Sequence, residues 1–524
     1  MARQKSENRN KPQDCRKAVS TRSAEPPGGG TAVPVNQQAE QLLLPFGSAE
    51  SPGSQGQGVV AGAVRRRRRS APRAVPQPEV KEEQARLATM EVIASYLELA
   101  FEKVAANKGA PGPDRQTIDQ VREHLGTIIP LLRRSLLDGS YRPGDIRRVW
   151  IPKSGGGQRG LGIPNVVDRV VQQAVRMVLE PLYEPTFHNQ SHGFRPERGC
   201  HTAIALATEY LEDGYEWVAD LDLEKFFDRV NHQRLLARLA QRVKDKRTLV
   251  LIGQMLKAAV VMPEGVRVST EEGVPQGGPL SPLLSNIVLD ELDAELVRRG
   301  HRFVRYADDC NIYVRSERSG QRVMASIVRF IEKRLRLKVN ASKSAVARPE
   351  TRHFLGFRLD GRRSSEGDVD IQLSERSEKR LRESVRELTP RNWGSSMAEC
   401  IGRINTYTRS WLGHFGICTF GVKPALMNMD AHIRRRLRAI QVTHWKRKKT
   451  IARRLIKLGV SRRKAFEAVY SGRKSRWALS ATAVVNRALS NAYWARQGLI
   501  SLTEQWEKCA SNRVASRQLT LPWR

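Results

Sequence analysis

The residues best able to do chemistry stand four in a row, Tyr306-Ala307-Asp308-Asp309. Adjacent carboxylates repel one another and cost folding free energy unless a cation neutralises them. The flanking segments, RFVRY before and CNIYV after, alternate apolar and polar residues as strands do. A tight turn between two such strands would aim both carboxylates into one cleft. Magnesium prefers oxygen ligands and keeps substrate phosphates in its shell, so two or three carboxylates in one place suit nucleotidyl transfer. Aspartate is also common in ordinary turns, so the tetrapeptide alone does not decide the matter.

A third carboxylate stands upstream in Val218-Ala219-Asp220-Leu221-Asp222-Leu223-Glu224-Lys225-Phe226-Phe227-Asp228. Two-metal catalysis sets its ions roughly 3.5–4 Å apart, one activating the attacking hydroxyl and one holding the leaving phosphate. Asp222, where a strand gives way to an aromatic turn, could bridge both ions with Asp308. Asp220 would share its strand face, and phasing alone does not choose between them. Glu224 and Asp228 read as solvated or salt-bridged. Lys153 and Arg159 flank the glycine turn Gly155-Gly156-Gly157. No Gly-Lys-Ser/Thr follows, so this is not a P-loop, but two cations on a hairpin could clamp a triphosphate and neutralise charge as it develops.

Several elements must position these groups. Over 82–108 the spacing of Leu87, Met90, Ile93, Leu97 and Phe101 predicts a helix, ended by Gly109-Ala110-Pro111-Gly112-Pro113. Residues 147–164 read as strand, tight turn and strand, and a helix follows over 168–182. A short strand occupies 216–221, and a strand, a two-residue turn and a strand occupy 302–314. After about residue 372 the spacing turns helical: Leu381, Val385, Leu388, then Ile401, Ile404, Trp411, then Ile433, Leu437, Ile440. Between Ala431 and Phe466 there are 14 Lys or Arg and no acidic residue, which predicts a folded basic helical module with a face of one sign. Trp445, Trp477, Tyr493, Trp494 and Trp506 punctuate this end and read as core aromatics rather than base-stacking platforms.

At 524 residues the chain is too long for one ordinary core. Ninety Lys plus Arg against 54 Asp plus Glu leave a net charge of +36, which favours a polyanionic partner, nucleic acid by default. The six cysteines show no CxxC spacing, which argues against a zinc ribbon or a disulfide framework and suits a reducing cytosol. No window approaches 18 consecutive apolar residues, and no charged segment precedes an apolar one at the N-terminus, so neither a membrane span nor a signal peptide is expected. These signs suggest a cytoplasmic, nucleoid-associated protein. Residues 1–80 are rich in Pro, Gly, Ser, Gln and Arg, carry the run Arg65 to Arg69, and read as an unstructured basic extension.

Asp222-Leu223-Glu224-Lys225-Phe226-Phe227-Asp228, then Gly273-Val274-Pro275-Gln276-Gly277-Gly278-Pro279-Leu280-Ser281-Pro282, then Tyr306-Ala307-Asp308-Asp309, then Phe354-Leu355-Gly356-Phe357 come in the order and spacing of the reverse-transcriptase palm. From about residue 82 to 515 the chain resembles the bacterial group II intron reverse transcriptase–maturases. It is most similar to the C class, which lacks an HNH endonuclease. The absent cysteine pairs and the absent His-Asn-His pattern after residue 450 agree with that.

The resemblance implies an α/β right-hand polymerase fold with an antiparallel palm sheet, followed by helical modules. Fingers would span 81–215, palm 216–372, thumb 373–445 and a basic helical DNA-binding region 446–524. Asp222, Asp308 and Asp309 would hold two magnesium ions, with manganese as a substitute, which chooses Asp222 over Asp220. Phe227 would lie beneath the sugar and exclude a 2′-hydroxyl, the atom separating RNA from DNA precursors, while Phe226 joins the core. Gln276 would touch the incoming deoxynucleoside triphosphate, with Lys153 and Arg159 on its phosphates. Arg195 would contact the template and Lys343 would lie near the active site. Residues 354–357 would form the primer grip. Arg434, Arg435, Arg436, Lys446, Arg447, Lys448 and Lys449 would bind nucleic-acid backbone.

The implied activity is RNA-templated DNA synthesis on a DNA primer or target, joined to binding of a group II intron RNA for splicing and mobility by target-primed reverse transcription. Two other readings remain: an RNA-binding splicing cofactor with secondary polymerase activity, and a related enzyme recruited to DNA repair or phage defence. The intact set Asp222, Asp308, Asp309, Phe227 and Gln276 favours an active polymerase over a pure binder.

Overall fold

The computed structural model describes residues 88–152, 157–361, 369–472 and 475–520, with side chains as far as 511. The basic extension expected over 1–80 lies outside the described residues, as do Lys153, Gly155 and Gly156.

Two helices, Met90–Ser95 and Leu97–Ala106, stand where one helix was predicted over 82–108. The break falls at Tyr96, with φ −90° and ψ 0°, where the Ser95 hydroxyl turns back to donate to the Val92 carbonyl at 2.7 Å. A serine that bonds its own backbone competes with the helical ladder. Ile93, Leu97 and Phe101 still face the interior, so the periodicity named the buried side even where the helix breaks.

In chain order the described strands are β1 (Ile146–Pro152), β2 (Gln158–Ile163), β3 (Trp217–Leu221), β4 (Val260–Val261), β5 (Arg267–Val268), β6 (Arg302–Tyr306), β7 (Asp309–Val314), β8 (Ala345–Ala347), β9 (Phe357–Asp360) and β10 (Asp370–Leu373). A first sheet runs β2-β1-β4-β5 and is antiparallel except where β1 meets β4. The central sheet runs β6-β7-β3-β8 and is antiparallel throughout. β9 and β10 form a separate hairpin.

The pleat of the central sheet divides two cores. Ala219, Leu221, Phe303, Cys310 and Ile312 face the first, built with the helices Leu97–Ala106, Val166–Tyr183 and Ser281–Arg298. Val218, Val304 and Tyr313 face the second, built with Phe354, Phe357 and the C-terminal helices. Successive strand residues point to opposite sides, so Asp220 takes the side of Val218, and Asn311 that of Tyr313.

Beyond β10 the described residues contain helices and turns only, beginning with Glu375–Leu388, Met397–Phe415 and Val422–His444. The last of these is capped by Trp445, and Lys446, at φ 54°, turns the chain out of the helix. Trp494 is 1% exposed, and Trp445, Tyr493 and Trp506 pack on the second core, as their helical context suggested, whereas Trp477 is only half-buried and lies beneath Arg391 and Arg435. No described helix is long and apolar enough to cross a membrane.

Candidate active site

Register brings the carboxylates together. Leu221 pairs with Cys310 and Tyr306 with Asp309, so one further step along the same register sets Asp222 opposite Asp309. Between Tyr306 and Asp309 the chain reverses through Ala307, a non-glycine residue at φ 56°. Gly193 backs this turn so closely that a Cβ there would stand 2.3 Å from the Ala307 nitrogen. Only glycine permits that approach.

Burial and crowding of like charge both raise proton affinity at this turn. Burial raises the pKa of Asp308, the charge of Asp222 adds to the rise, and Arg159 and Arg305 oppose it. Asp309 opens onto the cleft but is walled by protein, and it is pushed up to about 7 by burial and by the charges of Asp308, Asp220 and Asp222. Among the described residues no three Asp, Glu, His or Cys side chains already converge as a metal cage. Asp222 instead leans toward Lys343, whose Nζ is 3.5 Å from its Oδ2. The donors at the turn are hard carboxylate oxygens whose mutual repulsion a divalent cation would relieve, a set that suits magnesium or manganese rather than zinc.

Asp220 and Asp222 differ in their counter-ions. Arg352 holds Asp220 through Nε at 2.8 Å and Nη2 at 2.5 Å, both on Oδ2. The backbone of Asp222 is gripped instead by the 340–344 turn: its amide donates to Ser344 Oγ at 3.0 Å and its carbonyl accepts from the Asn340 amide at 2.8 Å.

The aromatic turn and the Gln276 loop form one wall. Lys225, at φ 51°, starts a single 3-10 turn, Phe226–Asp228. Phe226 is buried and Phe227 half-buried, their rings edge to face at 5.2 Å. The Val274 amide donates to the Phe227 carbonyl at 2.6 Å, and a Cβ on Gly273 (φ 95°) would come within 2.9 Å of that same oxygen. The Gly162 amide donates to the Gln276 carbonyl at 2.6 Å, which docks the loop on β2, the strand carrying Arg159. Thus Phe227, Gln276 and Arg159, spread over more than 100 residues of sequence, hang on backbone bonds of one loop and strand, and the charge of Arg159 reaches Asp308.

Comparison with known proteins gives the same reading. Residues 151–359 match the model of the family "Reverse transcriptase (RNA-dependent DNA polymerase)", and residues 378–458 match "Group II intron, maturase-specific domain". Protein YkfC of Escherichia coli (strain K12) is 34% identical over 329 residues, 55% of this chain and 86% of that protein. The chain belongs to the group II intron reverse transcriptases. The group II intron-encoded protein LtrA of Lactococcus lactis subsp. cremoris is 38% identical over 210 residues, covering 40% of this chain and 34% of LtrA. Nuclear intron maturase 4, mitochondrial, of Arabidopsis thaliana is 34% identical over 138 residues, 26% of this chain and 17% of its own. The chain thus spans most of YkfC but about a third or less of these two intron proteins.

In this reverse transcriptase Arg195 is not available to a template, contrary to expectation. All five of its N–H groups are spent inside the protein: Nε on Glu184 Oε1 at 2.8 Å, Nη1 on the carbonyls of His188 and Ser191 at 2.6 and 3.0 Å, Nη2 on those of Glu184 and Phe187 at 3.3 and 3.5 Å. It is a cross-link of the loop before Cys200–Glu212. Arg436 is likewise occupied, donating to the Thr389 hydroxyl and carbonyl and to the Arg386 carbonyl, so it ties the helix Val422–His444 to the end of the helix Glu375–Leu388 rather than facing a nucleic acid. Arg435 lies over the Trp477 ring at 4.3 Å, and Arg434 lines a surface groove with Arg438, Asn486 and Ser490. Lys446, Arg447, Lys448 and Lys449 are exposed. Residues 354–357 close a tight turn, with Leu355 at φ 53°, that seats Phe357 against His414 and Phe415.

Sequence reasoning missed the support beneath the turn: Arg305, Asp293 and Asn286, all buried. A usable signal existed. Period two puts Arg305 on the same side as the core residue Phe303, and a guanidinium there requires a buried carboxylate.

Proposed function

We propose that the protein extends the 3′-hydroxyl of a DNA primer on an RNA template using deoxynucleoside triphosphates, and that the same chain binds a group II intron RNA to assist its splicing and its mobility by target-primed reverse transcription. One observation carries the polymerase reading: the β3–β7 register brings Asp222 beside the Asp308-Asp309 turn at one end of the central sheet, with Arg159 near enough for its charge to act on Asp308. Asp222 and the Asp308-Asp309 pair would hold two magnesium ions, which manganese can replace and which lower the charge barrier between hydroxyl and phosphate. Arg159 would orient the triphosphate, with Lys153 as a second cation. Phe227 would close the space that a 2′-hydroxyl needs, and Gln276 would face the incoming nucleotide. Fingers over 81–215, palm over 216–372, thumb over 373–445 and a basic DNA-binding region over 446–524 would enclose the template and primer. Lys446, Arg447, Lys448, Lys449, Arg434 and Arg435 supply cations for the nucleic-acid backbone.

The test is extension of a DNA primer on an RNA template by purified protein with magnesium, beside an Asp308→Ala/Asp309→Ala control. Extension that the control loses is the expected result. No extension by the wild type, with tight RNA binding retained, would overturn it in favour of a splicing cofactor. The exposed cationic stretch at Lys446 to Lys449 would serve that second role equally well.

A further inference from the structure

Asp220 sits on the carboxylate-bearing side of the central sheet, where a further negative charge worsens the crowding around Asp309. A neutral side chain would be the cheaper occupant, since partly buried charge needs compensation. What the carboxylate secures is Arg352. That guanidinium is held by Asp220 Oδ2 through two nitrogens, and its Nη2 also donates to the Lys343 carbonyl at 2.5 Å. Lys343 lies in the turn that grips the Asp222 backbone from both sides, through Asn340 and Ser344. The Lys343 side chain itself is 65% exposed and meets Asp222 at 3.5 Å. Its direction therefore depends on where its backbone is fixed.

We infer that Arg352, braced on Asp220, is a positioning residue that sets the Lys343 ammonium over the catalytic carboxylates, where it can act on the reacting phosphates. This rests on the polymerase reading above. The chain of contacts runs from Asp220 in β3 through the Arg352 fork to the Lys343 carbonyl and back through Lys343 Nζ to Asp222. A lysine at position 352 could not reproduce it. Its single ammonium lacks the second nitrogen, Nε, through which the planar guanidinium is also braced on Asp220.

Single-turnover nucleotide addition on an RNA template is the measurement, made with the full chain carrying Lys343→Ala, Arg352→Ala, Arg352→Lys or the double change Lys343→Ala/Arg352→Ala. Residues acting as one unit lose rate non-additively. Lys343→Ala and Arg352→Ala should each slow addition on the order of 10- to 100-fold, Arg352→Lys should fail to restore it, and the double variant should be no slower than Lys343→Ala alone. Nucleotide affinity should change less than the rate. Multiplied losses in the double variant would overturn the inference, as would full activity in Arg352→Lys. An active wild type that Lys343→Ala leaves unchanged would overturn it while sparing the polymerase reading, whereas an inert wild type would remove both. If Arg352→Ala unfolds, as circular dichroism would show, Asp220→Asn takes its place with the same expectations.

Discussion

Arg305 and Asp293 form a fully buried two-bond ion pair beneath the Tyr306–Asp309 turn, Nε to Oδ1 at 2.7 Å and Nη2 to Oδ2 at 2.6 Å. The same guanidinium donates Nη1 to the Ala307 carbonyl at 2.9 Å and to Asn286 Oδ1 at 3.1 Å, and Nη2 to Ser191 Oγ at 2.7 Å. Asn286 in turn donates to the carbonyl of Gly193, the glycine that backs Ala307. The carboxylate turn thus has a bed: the 191–193 segment and the helix Ser281–Arg298 are joined to it through one cation.

Removing either partner of such a pair strands a buried charge, at a cost of about 3–5 kcal/mol. Asp293→Asn and Arg305→Met should each lower the melting temperature sharply. The double change Asp293→Leu/Arg305→Met should recover much of that stability, because an apolar pair of similar volume can replace a buried ion pair. Polymerase activity should not recover with it, since Ala307 has still lost its donor. Calorimetry beside primer extension separates the two effects; activity returning with stability would show that the turn needs no such anchor.

Gly193 offers a smaller perturbation at the same place. A methyl group from Gly193→Ala meets the Ala307 nitrogen at 2.3 Å, and backbone cannot yield as a side chain tip can. The turn should shift, and a displacement of about 1 Å in a catalytic group can cost on the order of 100-fold in rate. The expected outcome is a folded protein with RNA affinity near normal and slow nucleotide addition, read by binding and single-turnover kinetics on one preparation.

These two sites mark what the sequence could and could not disclose. The Asp308-Asp309 turn and its flanking strands were legible because period-two alternation and adjacent carboxylates are local signals. What sets Asp220 apart from Asp222 was not legible from phasing, because Arg352, the partner of Asp220, lies about 130 residues away. Arg195 looked like a surface arginine in a turn, and nothing local announced that four carbonyls and Glu184 would take all its donors. Arg436 sits in a run of cations whose shared helix seemed to give them one face. In the fold, 3.6-residue periodicity turns Arg436 toward Thr389, away from its neighbours. Long-range pairing of polar groups decides such cases, and single-residue chemistry does not encode it.

The wall built from Phe227 predicts a change of sugar selectivity. Its ring is half-buried and steadied edge-on by Phe226, while its carbonyl is fixed by Val274. Phe227→Ala should open the space beneath the sugar without moving the turn, so ribonucleotide incorporation should rise relative to deoxynucleotide, by about 10-fold or more if a steric clash of a few kcal/mol is relieved. Unchanged discrimination in competition assays would sink the assignment.

Asp309 gives a pH signature. Its folded pKa lies above that of an ordinary carboxylate, near 7. The folded state therefore binds this proton more tightly than the unfolded chain does, and the associated stability is present at low pH and lost as pH rises toward and through 7. Metal-free Asp309→Asn should be more stable than wild type at pH 8, by on the order of 1–2 °C in melting temperature for so open a group, and should gain nothing at pH 4. Magnesium should raise the wild-type melting temperature at pH 8 and move the variant much less. Equal magnesium effects on both would argue that Asp309 is no ligand.

The cationic stretch after His444 separates electrostatic from structural arginines. Lys448 and Lys449 are exposed, with Lys448 only resting over the Tyr470 ring at 5.4 Å, whereas Arg436 bridges helices. Lys448→Glu/Lys449→Glu should weaken RNA binding and lower the salt slope by roughly 0.7–0.9 for each phosphate that is no longer neutralised, with the melting temperature unchanged. Arg436→Ala should do the reverse, lowering stability by about 1–3 kcal/mol through unsatisfied groups at Thr389 and Arg386, with a salt slope close to wild type. Binding measured across a salt series, beside thermal denaturation, tells them apart. A steep slope retained after the lysine reversals would mean that the stretch is a solvated face, and the nucleic acid would have to be sought along the groove at Arg434 and Arg438.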